Sequence, residues 1–91
     1  MSDAKKILVV EDEAHLAKGL QFNLEREGYV VSLVDNGESA IELLSEEAFD
    51  LMILDIMLPK LNGIEVARRV RNTDLRFPIL MLSAKSSDED R

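Results

Sequence analysis

Short runs of hydrophobic residues alternate along the chain with longer stretches of mixed polarity. The runs lie at residues 7–10, 29–34, 51–54 and 79–82. The first, third and fourth runs are almost continuous rather than alternating, which is typical of strands buried on both faces of a sheet. The pattern therefore predicts four short strands, most of them deeply buried.

The stretches between these runs carry hydrophobic residues at helical spacing. The three stripes are Leu16, Leu20 and Leu24, then Ala40, Ile41, Leu44 and Ala48, then Ile64, Val66, Ala67 and Val70. Gly28 follows the first helix where a left-handed C-cap would lie, and Asn62 precedes the third helix as an N-cap, with Glu65 three residues later. Strands that alternate with helices predict a parallel sheet with right-handed crossovers. We expect one α/β domain, β-α-β-α-β-α-β, over residues 1–91.

Composition restricts the possible partners. The 91 residues include 11 basic and 18 acidic side chains, giving a formal charge of −7. Because phosphate contacts need clustered positive charge, this balance argues against nucleic-acid binding by the chain and favours basic partners or a bound cation. The chain has no cysteine, and therefore no disulfide or thiolate metal site. No apolar run approaches the roughly 18 residues of a membrane span, and the opening MSDAKK lacks a signal-peptide core, so we expect a soluble, cytoplasmic protein.

Acidic residues stand at the ends of the predicted strands, where ligands of open α/β sheets bind. Glu11 and Asp12 follow the first strand, Asp55 ends the third, and Ser83 follows the fourth. Asp35 ends the second strand, and we expect it to cap the next helix. Carboxylates that converge on one edge repel one another unless a cation neutralises them, and ligands that are all oxygen favour Mg²⁺. The sequence thus predicts a magnesium site at this edge.

Asp55 has two interpretations. It closes an apolar strand, and it could simply cap the loop that follows. An aspartate beside Mg²⁺ is also a competent nucleophile toward phosphorus, and the Ser83 hydroxyl could donate to an oxygen of the transferred group. A small hydrolase or nucleotide-binding domain is disfavoured, because the chain has no P-loop lysine motif and no glycine-rich turn after the first strand.

Three segments resemble the receiver domain of bacterial two-component response regulators. They are ILVVEDE at 7–13, LDIMLPKLNG at 54–63 and PILMLSA at 78–84. All four strands match the family in order and spacing, so the resemblance covers essentially the whole chain. It implies a flavodoxin-like, three-layer α/β/α fold with the strand order 2-1-3-4, followed in the family by a fifth strand. The MLP after Asp55 is most similar to regulators with a C-terminal winged-helix DNA-binding domain.

The resemblance implies a role for each candidate residue. Asp55 matches the phosphoacceptor that takes a phosphoryl group from the histidine of a sensor kinase. Asp12 would bind Mg²⁺ directly, Glu11 through a water, and Met57 through its backbone carbonyl. Ser83 matches the hydroxyl that moves to meet the phosphoryl group. Such a receiver takes part in its own phosphorylation and dephosphorylation without being a conventional enzyme, and its output in the full-length protein is expected to be transcription.

The family continues beyond the position of Ser83 with a fourth helix, a fifth strand that carries a phosphoryl-pairing lysine, and a fifth helix. Here SSDEDR at 86–91 resembles the first turn of that fourth helix, so we expect an incomplete receiver with impaired phosphoryl transfer. Strand 79–82 would then present an open apolar edge, for which we expect self-association, most simply as a two-fold dimer. The alternative function left open is a phosphorylation-independent interaction module or a dimerising fragment.

Overall fold

The structure, a computed structural model, describes residues 4–82, in which strands and helices alternate. The elements are β1 Lys6–Val10, α1 Ala14–Arg26, β2 Val30–Val34, α2 Gly37–Glu46, β3 Leu51–Asp55, α3 Gly63–Thr73 and β4 Ile79–Leu82. The predicted order of elements is confirmed. Among the helices of this part of the chain, none is long and apolar enough to cross a membrane.

The four strands form one sheet in the order β2-β1-β3-β4, and every neighbouring pair is parallel. Val10 at the end of β1 lies across from Val34 on β2 and from Leu54 on β3. The chain moves outward to β2 on one side of β1 and to β3 on the other, which makes the β1–β3 boundary the topological switch point. The flavodoxin-like fold with strand order 2-1-3-4 is therefore confirmed.

The continuous apolar strands β1 and β3 are buried on both faces because each face is covered by helices. The same prediction is wrong for β4, which lies at the edge of the sheet and is only partly buried, with Leu80 51% exposed. Leu8 and Val10 point into a cluster on the side of α2 and α3, whereas Ile7 and Val9 point to the side of α1. The larger cluster contains Leu8, Val10, Ala40, Met52, Leu54, Leu58, Val66, Val70 and Phe77. The smaller cluster contains Ile7, Val9 and Ile53, with Leu20 and Leu24 of α1 packed against it. The result is the three-layer arrangement that positions the strand ends.

Two of the predicted helix ends are confirmed. Gly28 has a φ of 96° beyond the end of α1, where residues with a Cβ are disfavoured. The Asn62 Oδ1 accepts a hydrogen bond from the Glu65 N–H at 3.0 Å, which caps α3. The Glu65 carboxylate contacts Arg68 and Arg69.

Two details of the second helix were predicted wrongly. Asn36, not Asp35, caps α2, because its Oδ1 accepts from the Ser39 N–H at 2.8 Å, while the Asp35 carboxylate accepts from the Asn36 side chain. Ala48 completes the apolar stripe in sequence but lies beyond the helix. The chain turns extended at Glu47 (φ −145°), and Ala48 is exposed in the loop to β3.

Candidate metal centre

Three carboxylates meet at the carboxyl edge of the sheet. One oxygen from each of Glu11, Asp12 and Asp55 lies within 4.8 Å of the others. Asp55 is 1% exposed and Glu11 is 3% exposed, whereas Asp12 is open to solvent. The structure therefore brings together the three acidic residues that the sequence singles out.

The register of the sheet explains why these residues converge. Val10 pairs with Leu54 in the parallel β1–β3 ladder, so the next residue of each chain segment, Glu11 and Asp55, emerges at the same level. The Glu11 N–H donates to the Val34 carbonyl at 3.0 Å, which extends the β1–β2 pairing by one residue. Two neighbouring strands thus deliver buried carboxylates to one point at the switch of strand order.

The turn between β1 and α1 holds the Glu11 side chain. The Glu13 N–H donates to Glu11 Oε2 at 3.0 Å. Glu13 is itself the N-cap of α1, since its Oε1 accepts from the Leu16 N–H at 2.9 Å. Glu13 therefore has two roles: its side chain caps the start of α1, and its backbone N–H orients the Glu11 carboxylate.

The loop after β3 holds Asp55 in a similar way. The Met57 N–H donates to Asp55 Oδ1 at 3.1 Å, and the Ile56 N–H donates to the Leu82 carbonyl at 3.0 Å. The Gly63 N–H donates to the Ile56 carbonyl at 3.0 Å, which ties the start of α3 to the end of β3. Asp55 is thus buried at a strand end that is fixed from both sides.

This donor set fits a small divalent cation. Opposite oxygen ligands of Mg²⁺ are about 4 Å apart, since each Mg–O distance is about 2.0–2.1 Å. The three carboxylate oxygens lie within 4.8 Å of one another, so they can hold such an ion if the side chains move slightly closer together, or if a water replaces one direct ligand. Asp55 and Glu11 are both buried at the ends of paired strands, so the sheet fixes the positions of two of the three donors.

The predicted roles of two further site residues, Met57 and Ser83, are not tested by the structure. Met57 lies next to the carboxylates, with a side chain 56% exposed and its N–H bonded to Asp55. Its carbonyl as a metal ligand stays a prediction. Ser83 lies outside the described residues, as does the 86–91 segment, although Leu82 immediately before it pairs with Asp55 in the β3–β4 register. The role of Ser83 also stays a prediction.

One feature of the site was missed from the sequence. Lys60, in the loop between β3 and α3, has a φ of 62°, in the left-handed region that favours glycine or asparagine. It lines a cavity of about 450 Å³ that also contains Asp12 and the start of α2. Hydrophobic periodicity carries no signal for this conformation. The only local hint is the turn-forming composition of PKLNG.

A second cavity is unrelated to the carboxylates. It has a volume of about 410 Å³ and lies between α2 and α3, at the end of the sheet where the strands begin. Its wall is largely apolar, with Leu44, Phe49, Val70 and Phe77 among the lining residues. None of the three clustered carboxylates lines it, so we place the functional site at the carboxyl edge.

The family model for the response regulator receiver domain matches residues 7–91. The chain belongs to the response regulator receiver family. It is the receiver domain of a two-component response regulator, and the segments quoted above lie within the matched range.

A curated relative supports this assignment. The receiver is 52% identical over 87 residues to the alkaline phosphatase synthesis transcriptional regulatory protein PhoP of Bacillus subtilis. The match covers 96% of this chain and 36% of that protein. The chain therefore spans about a third of the length of the curated relative.

Solved structures agree with the fold and with the family. The response regulator protein TrrA from Thermotoga maritima, in complex with Mg²⁺-BeF, is 38% identical with a TM-score of 0.82, over 92% of this chain and 76% of that one. The receiver domain of sensor histidine kinase PA1611 from Pseudomonas aeruginosa PAO1 is 31% identical with a TM-score of 0.86, over 97% and 74% of the two chains. That structure has a magnesium ion coordinated in its active-site cleft.

Proposed function

We propose that this receiver accepts a phosphoryl group on Asp55 from the phosphohistidine of a sensor histidine kinase. The observation that carries the proposal is the convergence of Glu11, Asp12 and buried Asp55 within 4.8 Å at the switch point of the sheet. Two related structures contain magnesium, one as Mg²⁺-BeF and one in its active-site cleft, and both have this fold. The alternative of a phosphorylation-independent module is not favoured, since it gives these carboxylates no role.

In the proposed transfer, a carboxylate oxygen of Asp55 forms a bond to phosphorus, and the bond between phosphorus and the donor imidazole nitrogen breaks. The electron pair of that bond returns to the imidazole. The Met57 N–H holds Asp55 Oδ1 during the attack, and the packed β3–α3 junction fixes the carboxylate relative to the sheet. Positioning of this kind supplies much of the rate in phosphoryl transfer.

Mg²⁺ would be held by Asp12 and Asp55, by Glu11 through a water and by the carbonyl of Met57. When bound, it supplies positive charge that compensates the oxygens of the transferred group. Ser83 is proposed to donate its hydroxyl to one of these oxygens. The receiver takes part in its own phosphorylation and dephosphorylation, and we propose that it is not otherwise an enzyme.

The test is the intact mass of the purified chain before and after incubation with acetyl phosphate and Mg²⁺. We expect gain of one phosphoryl group in the wild type and none in Asp55→Asn. Glu46→Gln is the matched control, because Glu46 is an exposed carboxylate at the end of α2 and away from the site. No gain in a wild-type chain that circular dichroism shows to be folded would contradict the proposal, as would equal gain in Asp55→Asn.

We propose two further properties of the protein. The output is transcriptional, because the curated relative is a transcriptional regulatory protein, and the acidic receiver itself does not bind DNA. The receiver self-associates through β4, whose second edge is paired with no strand in the 4–82 range and where Leu80 is 51% exposed. A strict monomer by light scattering at high micromolar concentration would overturn the self-association.

A further inference from the structure

Lys60 occupies a backbone conformation that lysine rarely adopts. Its φ of 62° is the one positive value at a non-glycine residue within the described 4–82 range. Left-handed backbone is disfavoured for residues with a long side chain, whereas asparagine and glycine tolerate it. Strained residues of this kind cluster at functional sites, so the position calls for a functional test.

The surroundings of Lys60 are acidic. It lines a cavity of about 450 Å³ bounded by the loop after β1, the start of α2 and the loop after β3. We call this cavity the acidic vestibule. Its lining residues are Asp12, Asp35, Asn36, Gly37, Glu38, Ser39, Glu42, Pro59, Lys60 and Leu61. Four of them are carboxylates, and Lys60 is the one cation among them.

The acidic vestibule is continuous with the candidate metal centre, because Asp12 belongs to both. Lys60 is exposed and forms no ion pair with any residue of the described part of the chain. Its charge is therefore not committed to one carboxylate and acts on the vestibule through space. A cation that approaches the centre from this side meets four negative charges and one positive charge.

We infer that Lys60 sets the divalent-cation affinity of the receiver by lowering the negative potential of the acidic vestibule beside Asp12. The inference rests on the proposed function, since it takes the carboxylate centre to bind Mg²⁺. In the high dielectric of water, repulsion between one lysine charge and a divalent cation on the other side of the vestibule corresponds to a change in Kd of about a few-fold. Lys60 thereby acts as a positioning charge and makes no direct contact with the ion.

The experiment is calorimetric titration of the folded chain with Mg²⁺ at low ionic strength and again at about 1 M salt, where screening acts within about 3 Å. Lys60→Asn removes the charge, and asparagine adopts the left-handed backbone of this position. Lys60→Gly provides a second neutral variant, since glycine adopts it as well. Lys60→Arg keeps the charge. Lys5→Asn is the matched control, because it makes the same change of net charge at an exposed site at the opposite end of β1.

We expect Kd to fall by about a few-fold in Lys60→Asn and Lys60→Gly, to stay unchanged in Lys60→Arg and Lys5→Asn, and to converge at high salt. A Kd in Lys60→Asn equal to that of the wild type would overturn this inference and leave the proposed function standing. So would an equal shift in Lys60→Arg, since the effect would then come from shape. If neither the wild type nor any variant binds Mg²⁺, the proposed function fails and the inference fails with it.

Discussion

Gly63, the first residue of α3, lies in direct backbone contact with Asp55 at the end of β3. A Cβ at Gly63 would lie 2.7 Å from the Cα of Ile56 and would overlap the carbonyl oxygen of Asp55. The Gly63 N–H also donates to the Ile56 carbonyl at 3.0 Å. The start of a helix is thus pressed onto the strand end that presents the candidate phosphoacceptor, and only glycine leaves room for it.

Replacement of Gly63 by alanine is expected to destabilise the fold and displace Asp55. The atoms in the way are backbone atoms, so overpacking should cost about 1–3 kcal/mol of unfolding free energy. Urea denaturation measures this change, and Mg²⁺ titration should show weaker binding. Gly19→Ala is the matched control, because a Cβ there meets nothing within 4 Å and the site is in the middle of α1, where the change should stabilise by about 0.5–1 kcal/mol. Equal stability changes in the two variants would contradict the close contact.

Removal of one carboxylate from the metal centre should stabilise the chain in the absence of divalent cations. Two unit charges within 4.8 Å of each other repel by about 1–3 kcal/mol, depending on the local dielectric. We therefore expect Asp55→Asn to raise the free energy of unfolding by about that amount in a chelator-treated sample. Thermal unfolding followed by circular dichroism measures the difference.

Addition of Mg²⁺ should reverse the order of stability and make the wild type more stable than Asp55→Asn. A ligand that binds only the folded state stabilises it by about 4.1 kcal/mol at a thousandfold excess over Kd, which exceeds the repulsion of about 1–3 kcal/mol, and the variant has lost a proposed ligand. The wild type should gain stability as Mg²⁺ is added and Asp55→Asn should gain little. If Asp55→Asn is less stable than the wild type without Mg²⁺, the Asp55 carboxylate stabilises the fold and the predicted repulsion is contradicted.

The cap of α3 gives a prediction about stability alone. The Asn62 Oδ1 accepts from the Glu65 N–H at 3.0 Å, and Asn62→Ala leaves that donor to water. We expect a loss of about 1 kcal/mol, with most of it recovered in Asn62→Asp, which keeps an oxygen at the same place. Urea denaturation of both variants provides the check. Equal losses in Asn62→Ala and Asn62→Asp would mean that the side-chain oxygen does not cap the helix.

Most of the fold was predictable because burial leaves a periodic mark on the sequence. The continuous runs at 7–10 and 51–54 are buried on both faces, and this is the pattern from which central parallel strands are predicted. The ends of α2 were not predictable to the residue. Asp35 and Asn36 are both good caps, and only the turn after β2 decides that Asn36 faces the first N–H groups.

The carboxylate cluster was predictable for a topological reason, since residues that follow neighbouring parallel strands meet at one edge. The order of the strands was enough to predict the cluster of Glu11, Asp12 and Asp55. Lys60 could not be identified in this way, because its φ depends on how the loop closes onto α3. The hydrogen bond from the Glu13 N–H to Glu11 was missed for a different reason, since every residue except proline has a backbone N–H and the sequence does not show where it points.

That hydrogen bond allows the backbone and side chain of Glu13 to be tested separately. Its N–H holds Glu11 Oε2 at 3.0 Å, and its Oε1 caps α1 by accepting from the Leu16 N–H. Glu13→Ala removes the cap alone and should cost about 0.5–2 kcal/mol of stability with little change in Mg²⁺ affinity. Glu13→Pro removes the N–H as well, and the φ of −86° at this position is close to the value that proline requires.

We expect Glu13→Pro to weaken Mg²⁺ binding by about tenfold relative to Glu13→Ala, because a hydrogen bond to a charged group contributes about 1.5 kcal/mol or more. Calorimetric titration of the two variants isolates the backbone donor, since both lack the capping carboxylate. Circular dichroism confirms that α1 is retained to the same extent in both. Equal Mg²⁺ affinities would mean that Glu11 keeps its orientation without the Glu13 N–H, and that the turn after β1 does not organise the metal centre.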